Sequence, residues 1–475
     1  MSLNATYRMA TLPKLLSKYS VETLCYIVGI AATIGRAFSG IGQPPVMGVV
    51  ADALIQQGFH SRETITTIYF ASIVLAAFLM PLAGYLFDRW GARRTGLLVI
   101  LALSACCFLF AYGNIHNSAF LVLLMFVSIR FFGQGALNLI SSNMINQWWT
   151  QRRRLVQGWS SCIYSFAMFA ILPTVTIWLD NKYGWQDTLG ILASLILCIM
   201  TPIWYLFYLD DIHMDGLETR GAQRYYPMNN EEYEMNESYW HSDDDDDEEY
   251  VQPVEENISF LSKETKDTQK SLPLFLSTSM NEKTGHPVTW QSSWHEAIRC
   301  CYFWKFSWCC FSWGFLTTGL FFHWSNIYTK MNVSSTTTTV SHTLFLIGVF
   351  SAIFSLFPAY VDTCSLRPLS MAMFFLGLSF LLINFVHWHI VEWLLGITLG
   401  GVMGMMNVYF VVLLAEWFGT KHIGMITGIN QAITQLGSAL GPLVLLRVIK
   451  WTDSYFWTLV ACSLWPFLTI VWLHY

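Results

Sequence analysis

The sequence predicts an all-α membrane protein with twelve transmembrane helices in two pseudo-symmetric six-helix bundles. Three observations carry this. Apolar stretches of about 20 residues, the length a helix needs to cross a bilayer core, recur along the chain. Only 12% of the 475 residues are charged and 54% are hydrophobic, whereas soluble domains are roughly 25% charged. A long polar insert falls midway, with six apolar stretches on either side.

Taken in order, the stretches run from Thr23 to Met47, Thr64 to Leu86, Arg94 to Tyr112, Ala119 to Met144, Leu155 to Trp178 and Thr188 to Tyr208. After the insert they run from Tyr302 to Tyr328, Thr336 to Tyr360, Pro368 to Val386, Ile390 to Phe418, Ile423 to Leu446 and Tyr455 to Leu473. Lys and Arg in short loops stay on the cytoplasmic side. Thirteen basic residues fall on the side of the N-terminus, among them Arg89, Arg93, Arg94 and Arg152 to Arg154; five fall opposite, at Arg62, Lys182, Lys330, Arg447 and Lys450. Both termini are therefore expected in the cytoplasm, with a tail at 1–22, bundles at 23–208 and 296–475, and a cytoplasmic linker at 209–295.

The net charge of -5 hides a segregation of sign. The linker carries 20 acids and 6 bases, a net of -14, and the remaining 11 acids and 20 bases give +9. Blocks of like charge and low hydrophobicity describe a disordered tether, whose acidic run offers a surface for a cytoplasmic partner. The basic residues record topology, so no nucleic-acid partner is expected. Within the linker Tyr225 to Met228 has the form of a tyrosine sorting signal, and Asn332, on the outer side, heads a glycosylation triplet.

The first apolar run is too long for a secretory signal. A multi-pass protein of the plasma membrane is expected, functional as a monomer, with an endolysosomal or other organelle membrane as the alternative. The eleven cysteines sit in or beside predicted helices and outline no disulfide framework. Cys300, Cys301, Cys309 and Cys310 read as apolar filler, with acylation of the membrane-edge pair Cys300 and Cys301 as the rival, and no metal site is expected.

The two halves echo each other. Asn146 to Cys162 and Ala415 to Gln431 each place an aromatic pair at a helix end, then a short basic link, then a glycine-containing helix entry. Gly158 precedes Pro173 by 15 residues and Gly428 precedes Pro442 by 14. Repeats of this kind, with a site between them at the bilayer midplane, are one recurring design of secondary transporters.

The link Gly84, Asp88, Arg89, Gly91, Arg93, Arg94 resembles the signature between the second and third helices of the major facilitator superfamily. The resemblance implies a cytoplasmic gate. There Gly84 admits a neighbouring helix, and Asp88 accepts backbone N–H groups at a helix N-terminus, the candidate being the eleventh helix from near Ile423. A reduced version surrounds Asp362 and Arg367. Ser128 to Asn138 resembles the fourth-helix motif of the superfamily, and Trp148 to Gly158 the fifth-helix signature of its monocarboxylate-transporter branch. Gly319 to Tyr328 is similar to the seventh helix of bacterial relatives that include oxalate and formate exchangers. Two features of the monocarboxylate branch are absent: the acidic-Gly-aromatic signature before the first helix and the Asp and Arg pair of the eighth.

Ionisable groups inside a spanning helix are costly and mark sites. Arg36 lies mid-span in the first helix, and Arg130 is about 16 Å into the fourth at 1.5 Å per residue. Helical spacing groups Arg36 with Ser39 and Gln43, and Arg130 with Gln134 and Asn138. Gln431 and Gln435 form a further stripe, while His323, Asn326 and Asn407 mark the seventh and tenth helices. The resemblance implies that the first, fourth, seventh and tenth helices line the cavity. Substrate contacts are accordingly expected from Arg36, Gln43, Arg130, Asn138, His323, Asn326, Asn407 and Gln431, and coupling from Arg130 and His323. Interhelical hydrogen bonding that never meets a ligand is the competing account of the same residues.

Two cations with no acid at comparable depth favour a carboxylate-bearing substrate, since Glu22, Glu392 and Glu416 lie near helix ends. His323, and after it His342, are the candidates for taking up a proton. Neither a phosphate-binding loop, nor metal-ligand spacing, nor a nucleophile elbow is found, so neither an enzyme nor a cofactor is expected. The expectation is a secondary transporter of a small organic anion, a monocarboxylate, working by alternating access with a proton as the candidate coupling ion. The alternatives are a facilitator of amino acids or another neutral solute, and a transporter-like receptor acting through the acidic linker.

Overall fold

In the computed structural model, residues 21–113, 115–149, 152–207, 292–330, 336–360, 366–386, 388–452 and 454–474 are described. Helix starts are set locally: Ser61 and Ser118 each accept the backbone N–H three residues on, from Thr64 and Leu121, satisfying donors that a helix start otherwise leaves bare.

Helix α1 is Val21–Phe38, continued by a 3-10 turn, Ser39–Gly42, and by Pro44–Gln56. The continuous stretch Arg62–Tyr112 is two helices, α2 (62–90) and α3 (92–112), divided at Gly91, where φ is 80° and ψ is 171°. Only glycine adopts that region without strain, and the chain turns back there. His60, just before α2, donates from Nε2 to the carbonyl of His116, just after α3, at 2.7 Å, so the far ends of the pair lie together.

In α4 (Ala119–Ile129, Arg130–Leu137, Asn138–Trp148) the middle segment is π-helical, a widening often found at functional sites. Single π turns also interrupt α5 (Arg153–Phe166, Ala167–Ile171, Leu172–Tyr183) and α6 (Trp185–Leu195, Ile196–Met200, Thr201–Phe207). A short capped helix, Trp294–Arg299, then leads into α7 (Cys301–Lys330), α8 (Thr336–Phe354), α9 (Arg367–Leu382), α10 (His389–Phe418), α11 (Ile423–Thr452) and α12 (Tyr455–His474). Ser293 and Glu296 form a capping box on the short helix, which begins at Trp294. The linker at 209–291, the tail at 1–20, Asn332 and Asp362 lie outside the described residues.

Among the described residues ten helices are long and apolar enough to cross a membrane, the 50-residue one being α2 with α3. The twelfth is α7, 30 residues interrupted by Ser, Thr and Trp. Ile30, Phe78 and Leu468, all more than 60% exposed, point outward as a lipid-facing surface requires.

The two halves meet along α2 with α11 and along α5 with α8. At both crossings a side chain has no room. A Cβ on Gly84 would fall on the Gly424 carbonyl, and one on Gly428 would come within 2.7 Å of the Met80 carbonyl. In the other crossing a Cβ on Gly158 would come within 2.8 Å of the Ser355 carbonyl. Gly158 and Gly428, matched in the sequence repeat, thus make equivalent contacts. Small residues are what allow helices in lipid to approach this closely.

Gly91→Ala is expected to lower the stability of the detergent-solubilised protein by about 1–3 kcal/mol, the cost of holding a side chain in that backbone region. Gly48→Ala, where a Cβ would meet nothing within 4 Å, should be neutral or stabilising by up to about 1 kcal/mol. Thermal unfolding of both variants checks the contrast.

Candidate functional site

Arg36 is 1% exposed and carries a guanidinium into the middle of the first half. Its Nη1 donates to Ser161 Oγ at 2.9 Å and to Gln157 Oε1 and Ser160 Oγ at 3.3 Å, its Nε donates to Asn138 Oδ1 at 3.4 Å, and its Cζ lies 5.1 Å from the centre of the Tyr164 ring. Every one of these partners is neutral. The cluster extends through Gln43, whose Nε2 donates to the Tyr164 hydroxyl at 3.1 Å, and through Gln157, whose Nε2 donates to the Ser142 carbonyl at 2.7 Å. Arg36, Gln43 and Asn138 are therefore brought together, though the first two do not share one continuous helical face. The α-helix ends at Phe38, and Gln43 is an extended cap before Pro44.

Arg130 opens the π-helical segment of α4 and is 5% exposed. Its Nη2 donates to Gln134 Oε1 at 2.8 Å and its Cζ sits 4.8 Å from the centre of the Tyr69 ring, while its Nη1 is buried with no hydrogen-bond partner. The π turn lies at a point of close packing. Gly42 of α1 sits against the backbone of Ile129, Gly133 and Gln134, and a Cβ on Gly42 would come within 2.5 Å of the Gln134 nitrogen.

The remaining predicted residues separate. His323, 3% exposed, donates from Nε2 to the Pro442 carbonyl at 3.1 Å, tying α7 to α11. Asn407 of α10 donates to Ser165 Oγ of α5 at 3.5 Å, and Ser165 shares a 3.1 Å hydrogen bond with Ser351 of α8. This mid-depth group joins the two halves. Gln431 is 7% exposed on α11, away from Arg36 and Arg130 in the bonding pattern. Asn326 lies on α7 with its side chain outside the described residues.

At the end rich in Arg, the carboxylate of Asp88 accepts from the backbone N–H groups of Gly424 and Met425, both at 2.8 Å, at the first turn of α11. That is where a helix leaves its donors unpaired. His422, just ahead, is pushed below the ordinary imidazole value by burial and by Lys421, so it places little positive charge there. Arg89 donates to the Tyr85 hydroxyl at 2.9 Å, Arg93 donates to the Tyr205 carbonyl at 2.6 Å, and Arg94 is exposed. Around them the halves are tied by Arg154 with Glu416 at 2.7 Å, Asn146 with the Val411 carbonyl at 2.9 Å and Asn143 with Thr427 at 2.7 Å. Arg154, Glu416, Asn143, Asn146 and Thr427, with Gln157, Ser160, Ser161 and Tyr164, are the side chains of these clusters that the sequence did not single out as site residues. The run Gln157, Ser160, Ser161, Tyr164, Ser165 repeats at helical spacing and was the available signal.

Cys309 and Cys310 are fully buried, as apolar filler would be, and among the described residues no group of His, Cys, Asp or Glu is arranged to hold a metal ion.

A family model described as the Major Facilitator Superfamily matches residues 25–442. No curated protein matches the sequence significantly. Among solved structures, that of the human organic anion transporter MFSD10 (TETRAN) is similar over 95% of this chain and 100% of its own, with a TM-score of 0.59 and 15% identity. The proton:xylose symporter XylE, bound to 6-bromo-6-deoxy-D-glucose, is similar over 96% of both chains, with a TM-score of 0.61 and 15% identity. At this identity the likeness is one of fold.

Two outcomes are expected at this end of the molecule. Asp88→Asn keeps one acceptor but sets an amide NH2 against a backbone N–H, and should cost about 2 kcal/mol. Arg154→Ala and Glu416→Ala, whose side chains are 30% and 19% exposed, should show a coupling of about 0.5–1 kcal/mol in a double-mutant cycle. Thermal unfolding in detergent reads both.

Proposed function

The chain belongs to the major facilitator superfamily and is a membrane transporter of that type, and we propose that it moves a small organic anion, a monocarboxylate, by alternating access. The observation that carries this is the charge of the interior. Arg36 and Arg130 lie at mid-depth among neutral partners, and the ion pairs between described residues involve neither of them. A guanidinium in a low-dielectric interior favours an anion strongly. Arg130 is the better ligand, because Nη1 remains without a partner, whereas Arg36 is engaged by four acceptors and positions α4 and α5 around the path.

We place the basic end in the cytoplasm, following the positive-inside rule. The Asp88 contact, the Arg154–Glu416 pair and the Asn143 and Asn146 bonds then act as a cytoplasmic gate in its closed state. Opening exchanges these bonds for water, and the glycine crossings let the halves rock. A proton is the proposed coupling ion. At His323 Nε2 must donate to the Pro442 carbonyl, which leaves Nδ1 as the atom to gain it.

Proteoliposome uptake of labelled monocarboxylates, amino acids and sugars, with and without an inward proton gradient, tests the reading. Monocarboxylate uptake is expected to rise with the gradient and to fall at least about tenfold in Arg130→Gln, equivalent to about 1.4 kcal/mol of lost stabilisation. Uptake of a neutral solute that ignores Arg130→Gln and Arg36→Gln would overturn the anion assignment, and binding without flux would favour a receptor.

A further inference from the structure

The entry to α7 carries two adjacent thiols. Cys300 is the extended residue that closes the short helix Trp294–Arg299, with φ -82° and ψ 130°, and Cys301 is the first residue of α7. Cys301 is exposed and Cys300 is half-buried. Both lie at the end of the molecule that holds Asp88 and the Arg154–Glu416 pair. Ser292, just ahead, donates its backbone N–H to the Phe418 carbonyl at 2.9 Å, and the rings of Tyr302 and Phe303 meet those of Trp417 and Phe418. Cys198 is also exposed, but it sits in the π turn of α6, about 14 Å into the span from Phe207. Cys364 lies outside the described residues.

Below Cys301 the same face of α7 is aromatic. Trp304, Trp308, Phe311 and Phe315 follow it at alternating intervals of three and four residues, which keeps all five on one stripe of the helix. Trp304 and Trp308 are 50% and 40% exposed, so the stripe faces outward. Its lower part is flat: the rings of Trp308, Phe311 and Phe315, with that of Trp465 from α12, stack at centroid separations of 5.5–6.0 Å and tilts of no more than 21°. Trp465 is held there by donating from Nε1 to Ser312 Oγ at 2.9 Å. Beyond Phe315 lies an apolar crevice bordered by Gly319, Gly441 and Val444. At the upper end Trp304 donates from Nε1 to the Ile298 carbonyl at 2.7 Å, and Lys305 Nζ donates to the Leu473 carbonyl at 2.9 Å. Amphipathic side chains of these types mark the polar edge of a bilayer, and Cys301 sits at that edge.

From Cys301 to Phe311 the helix rises about 15 Å, half of a hydrocarbon core about 30 Å thick. The aromatic wall therefore runs the depth of one leaflet, which is the reach of a long acyl chain fixed at the headgroup level. Thiols at the membrane edge are the groups that take such chains reversibly. We propose that Cys301, with Cys300 as a lesser site, is S-acylated, and that its chain lies on the aromatic wall of α7 and α12. The Cys301 sulfur attacks the carbonyl carbon of a long-chain acyl thioester such as an acyl-coenzyme A. A new S–C bond forms, the donor's C–S bond breaks, and the thiol proton leaves on the donor's sulfur, so nothing is oxidised or reduced. Tethering makes the contact of chain with wall intramolecular, an advantage that a free lipid tail lacks. The site does not depend on which solute is carried, and shares with the transport reading only the placement of this end in the cytoplasm, where acyl-coenzyme A is found.

The full-length protein, expressed in cultured eukaryotic cells fed an alkyne analogue of palmitate, tests the attachment. The native chain is expected to carry label that neutral hydroxylamine, which cleaves thioesters, removes. Cys301→Ser should lose most of it, Cys300→Ser a smaller part, and the double variant all of it, with Cys301→Ala as the second variant should Cys301→Ser not fold. Trp308→Leu leaves both thiols in place and should keep the label. A palmitate analogue with a photoactivatable diazirine at its far end tests the seat of the chain, with crosslinks expected on peptides of α7 and α12 that contain Phe311, Phe315 and Trp465. Absence of hydroxylamine-sensitive label, or label that survives in the double variant and so lies on Cys364 or another cysteine, would overturn the acylation. Crosslinks confined to other helices would overturn the seat on the wall. Neither readout uses a transported solute, so failure here leaves the anion assignment standing.

Discussion

A bare guanidinium in hydrocarbon has no water to fall back on, and each polar group left unpaired there costs several kcal/mol. Arg36 obeys this constraint by recruiting acceptors from α4 and α5 at once. Three helices are thereby fixed about one side chain, and much of the first half is organised by it. Arg130 meets the same constraint only in part, through Gln134 and the face of Tyr69. The difference separates a cation that holds the bundle together from one with capacity left for a ligand.

The second half uses its polar groups differently. It has no buried Arg or Lys among its described residues, and its charges sit at the two ends, in Glu416 facing Arg154 and in Glu392 facing two histidines. Between these ends the packing of α8, α10 and α11 rests on glycine and small hydroxyls. The asymmetry means that the halves share a backbone plan while dividing labour between charge-centred rigidity and close backbone contact. Asp88 bridges the two styles, since it binds main chain rather than side chain, and the glycine at 424 is part of that contact: a Cβ there would come within 2.6 Å of Asp88 Oδ1.

The helices were legible in the sequence because their lengths and apolarity answer directly to the bilayer, and Asp88 was legible because Gly84 to Arg94 resembles the superfamily's signature between its second and third helices. Arg36 and Asn138 were visible as polar groups out of place. Their companions Gln157, Ser160 and Ser161 were not, since the start of α5 reads first as a basic link and only the fold brings its next two turns under Arg36. The 3-10 turn at Ser39–Gly42 and the π segment at Arg130–Leu137 broke the helical spacing on which the polar stripes had been drawn. Both distortions lie where Gly42 and Gly133 pack across α1 and α4, a contact between distant positions that no local pattern announces. The pairing of His342 with Glu392, 50 residues apart, was hidden for the same reason.

The contacts at Gly158 and Gly428 have a mechanical meaning. Helices that interlock through side chains must unmesh them before they turn relative to one another, as toothed wheels must. Where backbone lies directly on backbone there are no teeth, and rotation about the contact displaces little. In the rocking proposed above, two such bearings, one on each side of the repeat, would serve as an axle, so that tilt at either end would need little repacking.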